Sequence, residues 1–166
     1  MKTDSFNHSE VVYAFIDSQN LNLGIQSHGW KLDFRKFRVY LRDKYRVQKA
    51  FLFIGYIKKY ENLYLKLKSY GYNLIFKEVN RYQNGIIKGN VDSELVLYAS
   101  AKEFNNYEKA IIISGDGDFY CLIEYLKSKN KFSRLLIPNR KGMSKILWEF
   151  SESTDYLENS KNKLEK

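Results

Sequence analysis

The chain has 166 residues, 44% of them hydrophobic and 28% charged, with 9 Gly and a single Pro; this is ordinary globular usage for one domain with a sizeable core, and it excludes collagen-like, low-complexity and broadly disordered chains. Lys and Arg number 28 against 19 Asp and Glu, a net +9 that suggests a polyanionic partner, nucleic acid or an acidic membrane surface. One cysteine, Cys121, and two separated histidines, His8 and His28, leave no disulfide scaffold and no Cys/His zinc site.

In chain order, Met1–Glu10 is a polar N-terminal extension without the apolar core of a signal peptide. The first buried strand is expected at Val11–Ile16, followed directly by Asp17, whose plainer reading is a turn residue stabilising Ser18-Gln19-Asn20. Phe34, Phe37, Leu41 and Tyr45 then mark one helix face, and Ala50–Gly55 a second strand. Tyr60, Leu63, Tyr64 and Leu67 give another helix, stopped at Gly71, before a strand at Asn73–Phe76. Val79–Asn90 is a long polar connection holding Tyr82 and Lys88, the mark of a functional loop or a small excursion. A third helix opens at Asp92 with Leu95, Val96 and Ala99 inward. A strand at Ala110–Ile113 runs into Ser114-Gly115-Asp116-Gly117-Asp118, and a fourth helix carries Phe119, Leu122, Ile123 and Leu126. A strand at Arg134–Ile137, a fifth helix on Met143, Ile146, Leu147 and Phe150, an edge strand at Thr154–Leu157 and a polar, frayed tail from residue 158 complete the chain.

The strand runs are nearly continuous in apolar residues, as expected for strands covered on both faces, and they alternate with helices. The fold class is therefore α/β with a mostly parallel sheet. In such a sheet ligands bind outside the carboxyl ends of the strands. Asp17 follows the first strand, Asp116 and Asp118 follow the fourth, and Asp92 opens a helix that starts at the same edge. Topology alone thus gathers four carboxylates at one rim. Each has a plainer reading as a helix cap or turn residue, although the residue three positions on (Leu95, Phe119, Cys121) never completes a capping box. Clustered carboxylates repel unless protonated or joined by a cation, and an oxygen-only donor set suits Mg²⁺ or Mn²⁺. Such ions activate water and neutralise phosphate charge, singly or as a pair about 4 Å apart.

The charge is uneven. Residues 31–49 hold eight basic and two acidic side chains, and residues 127–145 hold seven basic and none acidic. The expectation is a basic approach to an acidic, metal-requiring centre, as an enzyme acting on a polyanion needs. No Ser-His-Asp arrangement, dinucleotide fingerprint or Walker-type Gly-Lys-Ser/Thr is present. A Toprim-like domain would want Glu where Asp17 stands. A haloacid-dehalogenase-like phosphatase would want Asp where Gln19 stands.

Three segments resemble the motifs of NYN-domain proteins, the LabA-like group of the PIN-like nucleases: Phe15-Ile16-Asp17-Ser18-Gln19-Asn20-Leu21, Lys88-Gly89-Asn90-Val91-Asp92-Ser93-Glu94-Leu95, and Ser114-Gly115-Asp116-Gly117-Asp118-Phe119. They occur in family order, within residues 11–157. The resemblance implies a PIN-like three-layer αβα sandwich with strand order 3-2-1-4-5, and a ribonuclease dependent on Mg²⁺ or Mn²⁺. Asp17, Asp92, Asp116 and Asp118 would be its catalytic metal ligands. Asn20, Lys88, Ser114, Arg140 and Lys141 would contact substrate, single-stranded RNA, and Tyr56 or Tyr82 could stack a base. Many relatives carry a further acid where Tyr98 stands, a change that would either lower metal affinity or move a ligand to Glu94. A non-catalytic RNA- or nucleotide-binding module of the same fold is the alternative. A cytoplasmic setting, no membrane association and a possible homodimer complete the expectations.

Overall fold

Alternate residues of the first strand enter two different cores. The computed structural model describes residues 9–78, 80, 81, 87, 88 and 91–166. In β1 (Val12–Asp17) every residue is buried, with Val12, Ala14 and Ile16 in one apolar cluster and Tyr13 and Phe15 in the other. That is why the apolar run shows no alternation: a strand with helices on both faces has no polar side.

β1 pairs in parallel with β2 (Val47–Tyr56) and with β6 (Lys109–Ile113). β2 pairs with β3 (Tyr72–Glu78), β6 with β7 (Phe132–Ile137), and β7 with β8 (Thr154–Tyr156), all parallel. The six-stranded order is β3-β2-β1-β6-β7-β8, the expected 3-2-1-4-5 with the edge strand added. β4 (Asn80–Arg81) and β5 (Ile87–Lys88) form a separate antiparallel pair. Within the Val79–Asn90 connection, Val79, residues 82–86 (Tyr82 among them), Gly89 and Asn90 lie outside the described residues, as do residues 1–8 of the N-terminal extension.

One face of the sheet is covered by Leu21 and Ile25 of α1 (Ser18–Gln26), Phe37 and Leu41 of α2 (Phe34–Tyr45) and Leu67 of α3 (Glu61–Ser69). The other is covered by Leu95 of α4 (Asp92–Leu97), Leu122, Ile123 and Leu126 of α5 (Tyr120–Ser128), and Leu147 and Phe150. The three-layer expectation holds. α2 starts where Asp33 accepts from the amides of Arg35 and Lys36, and it ends at Arg46 in the left-handed region. Gly71, at φ +93°, closes the α3 connection as expected of a residue without Cβ.

Four local expectations change. The turn after Asp17 is a nine-residue helix, α1, capped by Asp17 itself. The expected fifth helix is a 3₁₀ run over Lys145–Ser153. With three residues per turn, Leu147 and Phe150 stay inward while Ile146 turns 51% exposed. The third helix widens into a π turn at Tyr98–Lys102, where the Tyr107 hydroxyl donates to the Ala99 carbonyl. The tail is ordered: α6 (Lys161–Leu164) packs against α2 and puts Leu164 into the core, the Asp33 amide donates to the Leu164 carbonyl, and Leu32 bridges to Glu165.

The basic rim is also corrected. Arg42, Lys44, Lys66, Lys68 and Lys127 occupy the last turns of α2, α3 and α5, where cations meet the negative end of the helix dipole. In a parallel sheet those turns lie at the amino edge, opposite the acids. Arg46 and Lys49 lie there too, since Val47 pairs with the first residue of β1 and Lys49 with the second, and Lys131 immediately precedes β7. Of the two basic runs, Arg140, Lys141 and Lys145, beyond the end of β7, fall on the carboxyl edge.

α1 lies close against the end of β7. A Cβ on Gly24 would come within 2.6 Å of Pro138 Cβ. Gly24→Ala is expected to cost about 1–3 kcal/mol through overpacking, outweighing the ~1 kcal/mol gained in helix propensity. Equilibrium denaturation measures it; an unchanged or raised midpoint would show that α1 and Pro138 separate freely.

Candidate metal centre

β1 and β6 are adjacent, and strand progression reverses between them, so the crevice at their carboxyl ends is the topological switch point of the sheet. Ile16 pairs with Ile113, which sets Asp17 beside Ser114. From there a ladder of hydrogen bonds builds the site. The Asn20 amide donates to Asp17 Oδ1 at 3.1 Å, and the Ser114 hydroxyl donates to Asp17 Oδ2 at 3.1 Å. Ser114 Oγ accepts from the Asp116 amide at 3.2 Å, and Asp116 Oδ1 accepts from the Asp118 amide at 3.0 Å. Asn20 Oδ1 accepts from the Gly115 amide at 2.8 Å, tying α1 to the same loop. A serine hydroxyl has one proton and two lone pairs, and Ser114 uses the proton on one aspartate's side chain and a lone pair on the other's backbone.

The loop is also clamped from behind. The Ser144 amide donates to the Gly115 carbonyl at 3.0 Å, and a Cβ on Gly117 would sit 2.5 Å from Ser144 Oγ. Gly117 is therefore required for close approach.

One carboxylate oxygen from each of Asp92, Asp116 and Asp118 lies within 4.8 Å of the other two, with Asp92 and Asp116 half-buried and Asp118 exposed. Asp17 is buried beside them, outside that trio. Burial pushes its carboxyl above the usual range; the Asn20 amide and Ser114 hydroxyl oppose this, and the charges of Asp92 and Asp116 add to it. Capping and clustering thus coexist: Asp17 caps α1 and Asp116 caps the turn at Gly117, and the same side chains face the crevice carboxylates.

The raised Asp17 carboxyl has a consequence for stability. The folded state holds this proton more tightly than the unfolded chain, so metal-free stability falls as pH rises from about the ordinary carboxyl value of 3.8 through the raised one. Asp17→Asn keeps a good helix cap and removes the titration. In EDTA it is expected to melt above wild type at pH 7, with the difference closing toward pH 3. Equal melting at pH 7 would show that the buried charge costs nothing.

The remaining expected residues sit as follows. Ser114 is buried, its hydroxyl donating to the Asp17 carboxylate and accepting from the Asp116 amide. The Arg140 guanidinium lies over the Tyr156 ring at 5.1 Å, and its amide donates to Glu158. Lys141 is exposed, its amide capped by Asn139. The Lys88 side chain lies outside the described residues. Glu94 pairs with Lys77 at 3.3 Å, and Tyr98 packs edge-on to Phe53 and tilted to Phe51, so it belongs to the aromatic layer under β2. Tyr56 is held by Glu61 and packed on Phe76 and Tyr64. The ladder through Ser114 and the Asn20–Gly115 bond were missed by sequence reasoning. Their one linear signal is a polar residue directly after each of two neighbouring buried strands.

The chain is 27% identical over 151 residues to the low amplitude and bright protein LabA of Synechococcus elongatus, covering 85% of this chain and 78% of LabA. Its fold matches the crystal structure of a Vibrio parahaemolyticus protein of unknown function with a TM-score of 0.74, at 21% identity over 95% of this chain and 96% of that one. No described helix is long and apolar enough to cross a membrane. The model of the NYN domain matches residues 11–157, a span holding all three motif segments and the four aspartates, and the chain belongs to the NYN-domain family.

Proposed function

We propose that the chain is a ribonuclease that depends on Mg²⁺ or Mn²⁺ and hydrolyses phosphodiester bonds of single-stranded RNA at the switch-point crevice. The observation that carries this reading is the convergence of Asp92, Asp116 and Asp118 to within 4.8 Å at the ligand-binding edge of an NYN-domain sheet. Three carboxylates at this spacing are an all-oxygen donor set that fits a hard divalent cation. Asp92, Asp116 and Asp118 would hold it, with Asp17 behind them. When bound, such a cation lowers the pKa of water and neutralises charge on a phosphate. Asn20, anchored through its carbonyl oxygen, would turn its amide nitrogen to a phosphate oxygen. Ser114 keeps Asp17 and the Asp116 backbone in register. Arg140 and Lys141 would contact the strand beside the loop, and Lys88 would contact it as well.

The test is cleavage of labelled single-stranded RNA with Mg²⁺ or Mn²⁺, with and without EDTA. Cleavage that requires the metal supports the reading, and cleavage indifferent to chelation overturns it. Metal-dependent binding without cleavage would favour the non-catalytic RNA-binding module.

The charge distribution adds a quantitative expectation. Among the described residues, the unpaired cations next to the carboxyl ends of the strands are Lys58, Lys59, Arg140, Lys141 and Lys145. With the proposed Lys88 contact these make six, so at about −0.7 per neutralised phosphate of a single strand, log K against log salt should be no steeper than about −4.2. A slope near −7 would mean that RNA engages the amino edge instead.

A further inference from the structure

A groove of about 470 Å³ opens beside the carboxylates between α1 and α3, within the size range of ligand pockets. It is continuous with the proposed centre: Ser18, next to Asp17, and Val91, next to Asp92, both line it. Its mouth is apolar and open, with Leu23 55%, Tyr60 44% and Leu63 43% exposed. Along its α1 side stand two exposed amide side chains, Gln19 and Asn22. Among the described residues, no charged one lines it. A larger groove along the outer face of α2 differs in this respect, being lined by Asp33, Arg35, Lys36, Asp43, Lys44 and Lys163.

From these observations we infer that the α1–α3 groove is a nucleobase subsite, an inference that rests on the nuclease reading of the adjoining centre. A nucleotide has two chemically distinct parts. Its phosphate belongs with the carboxylate centre and the cations beside it. Its base is neutral, flat and apolar on its faces, and it needs a surface without fixed charge. Leu63 and Leu23 offer such a surface, and the exposed Tyr60 ring, with the Lys59 ammonium 6.0 Å from its centroid, can stack a base. The amides of Gln19 and Asn22 each carry donors and an acceptor, the equipment for reading a base edge. Lys58 and Lys59, immediately before Tyr60 in the chain, are placed to meet the phosphate flanking a base held there. Gln19 and Asn22 are thus specificity-determining residues and Tyr60 the stacking platform.

The probes are the four ribonucleoside 5′-monophosphates and ribose 5-phosphate, each titrated by calorimetry into the full chain with Mg²⁺. At least one nucleotide is expected to bind on the order of tenfold or more tighter than ribose 5-phosphate. Tyr60→Ala combined with Leu63→Ser, which adds no charge, should erase that difference when nucleotide and ribose 5-phosphate are compared in the same variant. Gln19→Ala should change the ranking of the four bases. Equal binding of all five probes, or a preference that survives the Tyr60/Leu63 double change, would overturn the subsite. Either result can occur while wild type still cleaves RNA with metal, which leaves the nuclease reading standing. Absence of both binding and cleavage removes that reading and the subsite with it.

Discussion

Asp116→Asn is expected to lower metal-dependent RNA cleavage by about 10²-fold or more with no loss of folded stability. The two halves of that expectation come from the two oxygens of one side chain. Oδ1 accepts from the Asp118 amide, and an asparagine carbonyl accepts the same bond, so the Gly117 turn keeps its cap. The charge is what disappears. It sits within 4.8 Å of Asp92 and Asp118, and it also raises the Asp17 carboxyl. Removing it relieves repulsion in the metal-free protein and removes an anionic ligand from the metal-loaded one. A bound divalent cation supplies several kcal/mol of transition-state charge stabilisation, which weaker ligation forfeits in part, and each 1.36 kcal/mol is tenfold in rate. Cleavage assays in Mn²⁺ paired with thermal melts in EDTA separate the effects. Activity within tenfold of wild type would show that Asp116 is only a turn former. A fall in melting temperature would show that its role is structural.

Leu164→Ala is expected to destabilise the fold by about 2–5 kcal/mol, the cost of emptying a fully buried leucine site. The residue lies in a segment whose sequence looks expendable: Lys161, Asn162 and Lys163 before it, Glu165 and Lys166 after it. Yet Leu164 has no exposed surface and joins the cluster of Leu21, Phe37 and Leu41. The backbone around it is held by three bonds: the Asp33 amide to the Leu164 carbonyl, the Lys166 amide to the Lys31 carbonyl, and the Lys36 ammonium to the Glu165 carbonyl. The segment thereby fixes the entry to α2. Urea denaturation reads the loss directly, and a change below 1 kcal/mol would mean the tail peels away at no cost to the core.

Leu164 also illustrates where the sequence is hard to read. A single apolar residue among charges carries no periodicity, so nothing in the linear pattern separates it from an exposed leucine such as Leu65. The sheet was legible for the opposite reason. Runs such as Ala110–Ile113 admit few arrangements other than a strand covered on both faces, and strict βα alternation then orders the edge where ligands bind. α1 escaped because its inward positions are two, Leu21 and Ile25, in a stretch rich in amides and glycine. The basic residues misled because their positions were counted along the chain, without asking which end of a helix each one occupied. The acids were placed correctly at one edge. Their difference in depth, Asp17 buried and Asp118 exposed, depends on the turn each follows, which a spacing rule does not contain.

The pairing of Ile16 with Ile113 has a consequence for how the centre comes into being. Because side chains alternate along a strand, a slip of one residue between β1 and β6 would send Asp17 and Ser114 to opposite faces and break the two bonds that cross between them, Ser114 to Asp17 and Gly115 to Asn20. The β1–β6 register therefore seats Asp17 under the Asp116 loop ahead of any ion, while Asp92 reaches the same edge on α4. Amide protons of β1 and β6 should accordingly be among the slowest to exchange with solvent. Damage to the centre should be found in chains that mispair at the middle of the sheet, while the edge strands β3 and β8 can fray and re-form without disturbing it.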